Sequence, residues 1–395
     1  MLTNRAVQHP SVDALPASAE VVVIGGGILG TSIAFHLAEA GIADVVLLER
    51  GGLAQGSSGK PIGGVRGQFS DALNIRLAAR SLVAYDCFEQ AFGVDIGLDK
   101  VGYLFLLRTA EHVATFEAAL PLQHEHGVPA RLIEPAEARA LCPLIDPDAF
   151  VAAAFSPSDG HAQPTAVATA YAASARRRGA RVITGCGVSD VDVRGGEITA
   201  VHTSRGVVRT STVVCAAGPW SREIGDMAGV ELDVRPIRRQ IAFSAPLTPP
   251  APRLPFTIDY DSTFYFHTAG DGVLLGMSDP GQAPGFGCEY SEEWLPLLRA
   301  TAARCAPALA RVTVRHGWAG LYEMTPDANA LVGESPGVSR FLYATGFSGH
   351  GFCQAPAVAE VVRDLVRGEP PFTDVTALRA ERFAEQAPVL EANIV

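Results

Sequence analysis

The sequence predicts an α/β protein with a parallel-sheet domain and a second domain resting on an antiparallel sheet. Three observations carry this. The apolar runs Val21–Ile24 and Val45–Leu48 bracket a glycine turn and an amphipathic helix pattern, the βαβ arrangement of a buried parallel sheet. Between 236 and 319, strand-like segments follow one another across turns at Gly270 and Asp271-Gly272, as an antiparallel sheet requires. A length of 395 residues exceeds one ordinary core, which makes two domains the natural arrangement.

Bulk properties narrow the class. Hydrophobic residues make up 48% and charged residues 18%, which suits a globular chain with a large interior. No apolar run reaches the ~18 residues that cross a bilayer. Residues 1–17 lack the basic and apolar regions of a signal peptide and read as a loose N-terminal arm, so a cytoplasmic protein is expected. The net charge is −11, and the one basic cluster, Arg176-Arg177-Arg178, ends a helix-like segment where cations oppose the helix dipole. Neither nucleic acid nor a membrane is therefore an expected partner. The seven Cys show no CxxC spacing, so no metal site and no disulfide framework is expected.

The first strand runs into Gly25-Gly26-Gly27-Ile28-Leu29-Gly30, which matches G-x-G-x-x-G. Gly25 permits the tight turn, Gly27 lets backbone approach a pyrophosphate, and Gly30 allows close packing of helix on strand. The helix pattern through Thr31–Ala40 presents its N-terminal N–H groups to the phosphates. Glu49 ends the second strand about 20 residues on, where a carboxylate binds a ribose hydroxyl. These parts in register predict a Rossmann-like dinucleotide site, and Glu49 disfavours NADP even with Arg50 beside it. On these residues alone NAD and FAD both remain open.

A glycine-rich loop, Gly56-Ser57-Ser58-Gly59-Lys60-Pro61-Ile62-Gly63-Gly64-Val65-Arg66-Gly67-Gln68-Phe69-Ser70, follows and suits a planar ligand. Later come Met324-Thr325-Pro326-Asp327 and the turn Thr345-Gly346-Phe347-Ser348-Gly349-His350-Gly351-Phe352, leading into a helix over Pro356–Val366. Together these segments resemble the D-amino-acid oxidase superfamily of FAD-dependent oxidoreductases. Within it, the sarcosine oxidase-like branch (monomeric sarcosine oxidase and sarcosine oxidase β-subunits) is the most similar. Asp159-Gly160-His161 before a helix over Thr165–Arg178, and Val213–Ala217 closing on Gly218-Pro219-Trp220-Ser221, are similar to the same family.

The resemblance implies a glutathione-reductase-type FAD-binding domain over 18–85, 150–235 and 320–380, with a substrate domain over 86–149 and 236–319. It implies FAD contacts at Gly25, Gly27, Ile28, Leu29, Gly30, Glu49, Arg50, Ser57, Ser58, Val188, Ala217, Gly218 and Trp220. The same holds for the turn residues Gly346, Phe347, Ser348, Gly349, His350 and Gly351. The implied reaction is oxidation of a C–N bond in a small secondary amine or amino acid to an imine, by hydride transfer to flavin N5. Electrons then pass to O2 or another acceptor. Two other readings stand beside it: the catalytic β-type subunit of a heteromeric amine dehydrogenase, with partner subunits, and a non-catalytic flavoprotein for assembly or binding.

Five side chains are candidates for the substrate pocket. Arg66 stands where sarcosine oxidases carry a pocket arginine and is expected to hold a carboxylate. Tyr322 matches a pocket tyrosine, and His350 is expected near the flavin ring, in contact with the cofactor. Tyr265 and His267 alternate onto one face of their strand, which either looks into the pocket or away from it. Departures from the family matter too. The residue that tethers FAD in monomeric sarcosine oxidases is replaced by Gly320, so noncovalent FAD is expected. Their two pocket lysines are replaced by Cys353 and Leu274, which puts the binding of sarcosine-like anions and the use of oxygen in doubt; Lys60 is a candidate replacement cation.

Overall fold

A computed structural model describes residues 14–385 and 390–391. Residues 1–13 of the expected arm lie outside the described residues. The part that is described is not loose: the Ala17 carbonyl accepts from Arg209 N–H at 3.0 Å, and Leu15 packs on the core beneath.

Val21–Ile24 lies inside a six-stranded sheet with the order Leu331–Glu334, Phe341–Thr345, Val213–Cys215, Val21–Ile24, Val45–Leu48, Arg181–Ile183. All neighbours are parallel except the edge hairpin of the first two strands. A parallel sheet is covered on both faces, which is why all four residues of each opening strand are apolar and buried. Val21 and Val23 turn to the helices Ile28–Glu39, Pro164–Arg177 and Gly351–Arg367. Val22 and Ile24 turn to the opposite core, beneath the antiparallel meander Val188–Arg194, Glu197–Thr203, Gly206–Arg209.

The second sheet has eight strands in the order Val314–Met324, Arg235–Ser244, Gly272–Met277, Tyr265–Ala269, Phe256–Asp259, Tyr103–Leu107, Ala152–Ser156, Arg131–Ile133. Its pairs are antiparallel apart from Phe256–Asp259 with Tyr103–Leu107. Ala152–Ser156 pairs against Tyr103–Leu107, and Val314–Met324 runs in register with Arg235–Ser244 as far as Met324. The sheet thus uses residues just beyond 150 and 320 that the expected division assigned to the FAD-binding domain. Conversely, Phe88 and Phe92, expected in the substrate domain, stack at 4.4 Å in the parallel-sheet core beside Tyr171.

The helix expected from Pro356 begins five residues earlier, at Gly351. Proline inside a helix lacks the N–H that would bond the carbonyl of residue i−4, here Phe352. That carbonyl is satisfied from outside, by the buried Tyr85 hydroxyl at 2.6 Å. Replacing Tyr85 with Phe is expected to cost about 1–3 kcal/mol, by leaving a buried acceptor unpaired. A chemical-denaturation midpoint equal to that of the parent would contradict this. No described helix is long and apolar enough to cross a membrane.

Candidate active site

One cleft of ≈ 420 Å³ joins the glycine turn of the parallel sheet to a face of the eight-stranded sheet. At the turn, Gly25 has φ +113°, and a side chain on it would meet the Ala216 carbonyl oxygen at 2.3 Å. Ile28 N–H, at the first turn of the helix, donates to Ser58 Oγ at 2.9 Å, while Ser57 Oγ donates to the Leu321 carbonyl at 2.6 Å. The glycine-rich loop is thereby fastened across the motif it was expected to accompany. Glu49 accepts from Gly26 N–H at 2.7 Å and Gly51 N–H at 2.6 Å, which fixes its carboxylate at the cleft wall. Arg50 lies 3.7 Å over the Trp220 ring, which in turn stacks with Phe286 at 5.7 Å.

Gly25, Gly27, Ile28, Leu29, Glu49, Arg50, Ser57, Ser58, Val188, Ala217, Gly218 and Trp220 all line the cleft. Gly30 does not: a Cβ there would stand 1.9 Å from the Gly25 oxygen, so its part is to let the helix approach the strand. The later turn divides in the same way. Gly349 and Gly351 face the cleft, whereas Phe347 is buried in the core and Ser348 Oγ accepts from Thr325 N–H at 3.2 Å. The N–H groups of Gly346 and Phe347 point at the Glu323 carboxylate rather than into the cleft.

Paired strands set the face opposite. Arg239 sits across from Gly320, Ile241 across from Trp318, and Tyr265 across from Gly276. The missing side chain at Gly276 makes room for the Tyr265 phenol, whose oxygen would lie 2.2 Å from a Cβ there. Tyr265, Ile241, Arg239 and Tyr322 line the cleft together, with Lys60 reaching in from the glycine-rich loop. Burial pushes the phenols of both Tyr265 and Tyr322 up, so each stays protonated and able to donate.

Three expected pocket residues stand elsewhere. Arg66 is 3% exposed and outside the cleft wall. Its guanidinium donates to the Gln68 carbonyl and to His350 Nε2, the latter at 3.0 Å, and lies 4.2 Å over Phe69. Those contacts turn it into the interior. His350 is buried beneath the turn, edge-on to Phe69 at 5.1 Å, rather than on the cleft wall. Burial, with the Arg66 charge beside it, holds its imidazole well below the ordinary value. It is therefore neutral, with Nε2 as acceptor, and braces Arg66. His267 shares a strand face with Tyr265 but lies beyond the cleft, stacked on His161 at 4.8 Å with Nδ1 against the Thr268 carbonyl at 2.7 Å.

Arg239 and Glu323 are among the cleft residues that escaped the sequence reading. Arg239 carried no motif; its placement depends on strand register with Gly320. Glu323, next to Tyr322, is half-buried at the cleft, where Thr345 Oγ1 donates to it at 3.0 Å and the turn N–H groups face it. Burial pushes its carboxyl from the ordinary 4.5 up to about 7, against the pull of those hydrogen bonds. The folded chain therefore binds this proton more tightly than the unfolded one. Stability from the group is fully present below pH 4.5 and is lost as pH rises through about 7. Across that window the melting temperature of the parent should fall relative to Glu323→Gln. Parallel pH curves for the two would contradict the assignment.

A strand–glycine–helix turn, a terminal acid and a cleft shared with an antiparallel sheet define a two-domain dinucleotide-binding protein of the flavoprotein kind. The chain belongs to the DAO family of FAD dependent oxidoreductases, whose model matches residues 20–365. FAD is the cofactor of this family, and the residues at the glycine end of the cleft fit it.

The chain is 31% identical over 388 residues to dimethylglycine dehydrogenase, mitochondrial, of Rattus norvegicus, covering 93% of this chain and 45% of that protein. It is 31% identical over 385 residues to 4-methylaminobutanoate oxidase (formaldehyde-forming) of Paenarthrobacter nicotinovorans, covering 95% and 47%. The chain thus spans under half the length of these curated relatives. Among solved structures, L-proline dehydrogenase from P. horikoshii matches with a TM-score of 0.87 and 32% identity, over 94% of this chain and 99% of that one.

Proposed function

We propose that this chain oxidises a C–N bond of a small secondary amine or amino acid to an imine, with FAD taking the electrons. The observation that carries this reading is the cleft that joins the dinucleotide turn to the sheet face bearing Tyr265, Ile241 and Tyr322. FAD, when bound, supplies the redox chemistry by accepting a hydride equivalent from the substrate. The chain's own residues bind the amine, orient it and keep water away. Ile241 and the two tyrosine rings give an apolar wall, and the protonated phenols offer donors to a substrate oxygen. By their names, the relatives act on dimethylglycine, 4-methylaminobutanoate and L-proline, all small amines, which supports the reading.

The cofactor is held noncovalently. Gly320 offers no side chain for a tether, and the place of its Cβ is crowded by Lys60 Cβ at 2.7 Å. The test of the reaction is anaerobic mixing of the FAD-loaded chain with a panel of N-methyl and cyclic amino acids and simple secondary amines. Bleaching of the visible flavin band by at least one member is expected. A panel that leaves the band untouched would refute the reading.

A further inference from the structure

We propose that Phe286 is a positioning residue for the cofactor: it clasps Trp220 from the neighbouring sheet, and this contact sets how fast FAD leaves the cleft. The proposal rests on FAD being held without a covalent bond and is independent of which amine is oxidised.

Phe286 stands at the tip of segment 279–290, which links the strand Gly272–Met277 to the helix Leu295–Cys305 and itself forms neither helix nor strand. Every residue of 283–289 is exposed. Polar contacts tie both limbs of the segment to one strand of the eight-stranded sheet. Arg238 Nε donates to Gln282 Oε1 at 2.9 Å, and Arg238 Nη1 donates to the Glu289 carbonyl at 2.9 Å. Ser291 N–H donates to Gln240 Oε1 at 2.8 Å. Arg238 and Gln240 alternate with Arg239 and Ile241, which line the cleft, so the two limbs lie behind the cleft wall. Gly285 N–H then donates to the Pro236 carbonyl at 2.7 Å, near the start of the same strand. Beyond that bond Phe286 reaches across to Trp220.

Apolar side chains exposed singly are ordinary, and Phe286, 44% exposed between Gly285 and Gly287, would be one of them but for what it stacks on. Its ring lies 5.7 Å from the Trp220 ring at an interplanar angle of 15°. Trp220 lines the cleft at its glycine end, two residues after Gly218. A Cβ on Gly56, in the glycine-rich loop, would stand 3.5 Å from Trp220 Cζ3, and Arg50 lies 3.7 Å over the same indole. Trp220 therefore closes the wall between the glycine-rich loop and the end of the second parallel strand. Stacking holds it there. Arg50 supplies one contact from a long, flexible stem, whereas Phe286 supplies the other from backbone anchored to the second sheet. An aromatic pair of this kind contributes a factor of about 2 to 10 in the equilibrium between closed and open. Removing the Phe286 ring unties Trp220 from the second sheet and lets this wall open more often.

The experiment is to dilute the FAD-loaded chain and read the FAD freed with time by its fluorescence after ultrafiltration. Phe286→Ala should release FAD about 3- to 10-fold faster than the parent, and Phe286→Tyr at close to the parental rate. Trp220→Ala should release it at least as fast as Phe286→Ala. Adding Phe286→Ala to Trp220→Ala should change the rate by less than about 2-fold, because no indole is left to position. Phe372 is as exposed, at 45%, but packs at Arg80 and takes no part in the cleft wall, so Phe372→Ala should leave the rate unchanged. A parental rate in Phe286→Ala, its full acceleration in the Trp220→Ala background, or equal acceleration in Phe372→Ala overturns the clasp. If Phe286→Ala fails to fold, Phe286→Leu is judged by the same criteria. Flavin that acid leaves in the pellet of the parent overturns the noncovalent reading and the clasp with it. Flavin freed by acid, together with a parental release rate in Phe286→Ala, overturns the clasp alone.

Discussion

Replacing Gly30 with Ala is expected to abolish FAD binding and to cost about 3 kcal/mol or more of stability. The added methyl would stand 1.9 Å from the Gly25 oxygen and 3.0 Å from its carbonyl carbon. Both are backbone atoms of the turn itself, so no rotamer change relieves the contact. Gly25 cannot retreat either, because its own approach to the Ala216 carbonyl already excludes a side chain. The helix start and the turn would have to separate, and with them the N–H groups proposed to hold the pyrophosphate. Purification of Gly30→Ala should give colourless protein with a lowered melting temperature. A yellow variant with the parental FAD-to-protein ratio would contradict this account of the motif.

The second large effect is at Arg66. Arg66→Met should destabilise the fold by about 3–5 kcal/mol, the range for breaking a buried charged network from one side. His350 Nε2 would lose its donor, Gln68 O would lose another, and the face of Phe69 would lose its cation. Asp159, a fully buried carboxyl already pushed up to about 6 by desolvation, would also lose the nearby charge that helps hold its anion. Carboxylate affinity measured on the folded fraction should remain within a few-fold of the parent. Urea denaturation gives the first quantity and calorimetry the second. A stable Arg66→Met protein that binds carboxylates poorly would return Arg66 to the substrate site.

The contrast between Arg66 and Arg239 shows what the sequence could and could not convey. The opening motif is local: strands, glycines, helix and acid all lie between Val21 and Glu49, so pattern and function are readable together. Four strands of the eight-stranded sheet were readable from their own apolar runs, those at Tyr103–Leu107, Arg235–Ser244, Tyr265–Ala269 and Gly272–Met277, whereas Arg131–Ile133, Ala152–Ser156, Phe256–Asp259 and Val314–Met324 were not. Which side of a strand faces the cleft is another matter, since it depends on partners far along the chain. Arg239 reaches the cleft because it pairs with Gly320, and Arg66 is turned inward by His350, 284 residues away. The early start of the last long helix hides for the same reason: the carbonyl that Pro356 leaves unpaired is satisfied by Tyr85, 267 residues distant from Phe352. Glu323 neighbours Tyr322 and would alternate to the far face of a regular strand. Its burial comes from the turn carrying Gly346 and Phe347 rather than from anything in its own segment.

The claim on which everything else depends is that the cleft holds FAD, and holds it without a covalent bond. The direct measurement is the visible spectrum of the purified chain before and after acid precipitation. Flavin bands in the native protein, with all the yellow colour passing into the supernatant, are the predicted result. Colour retained in the pellet would contradict the noncovalent mode drawn from Gly320, and a chain that stays colourless even after FAD is added would contradict the account as a whole.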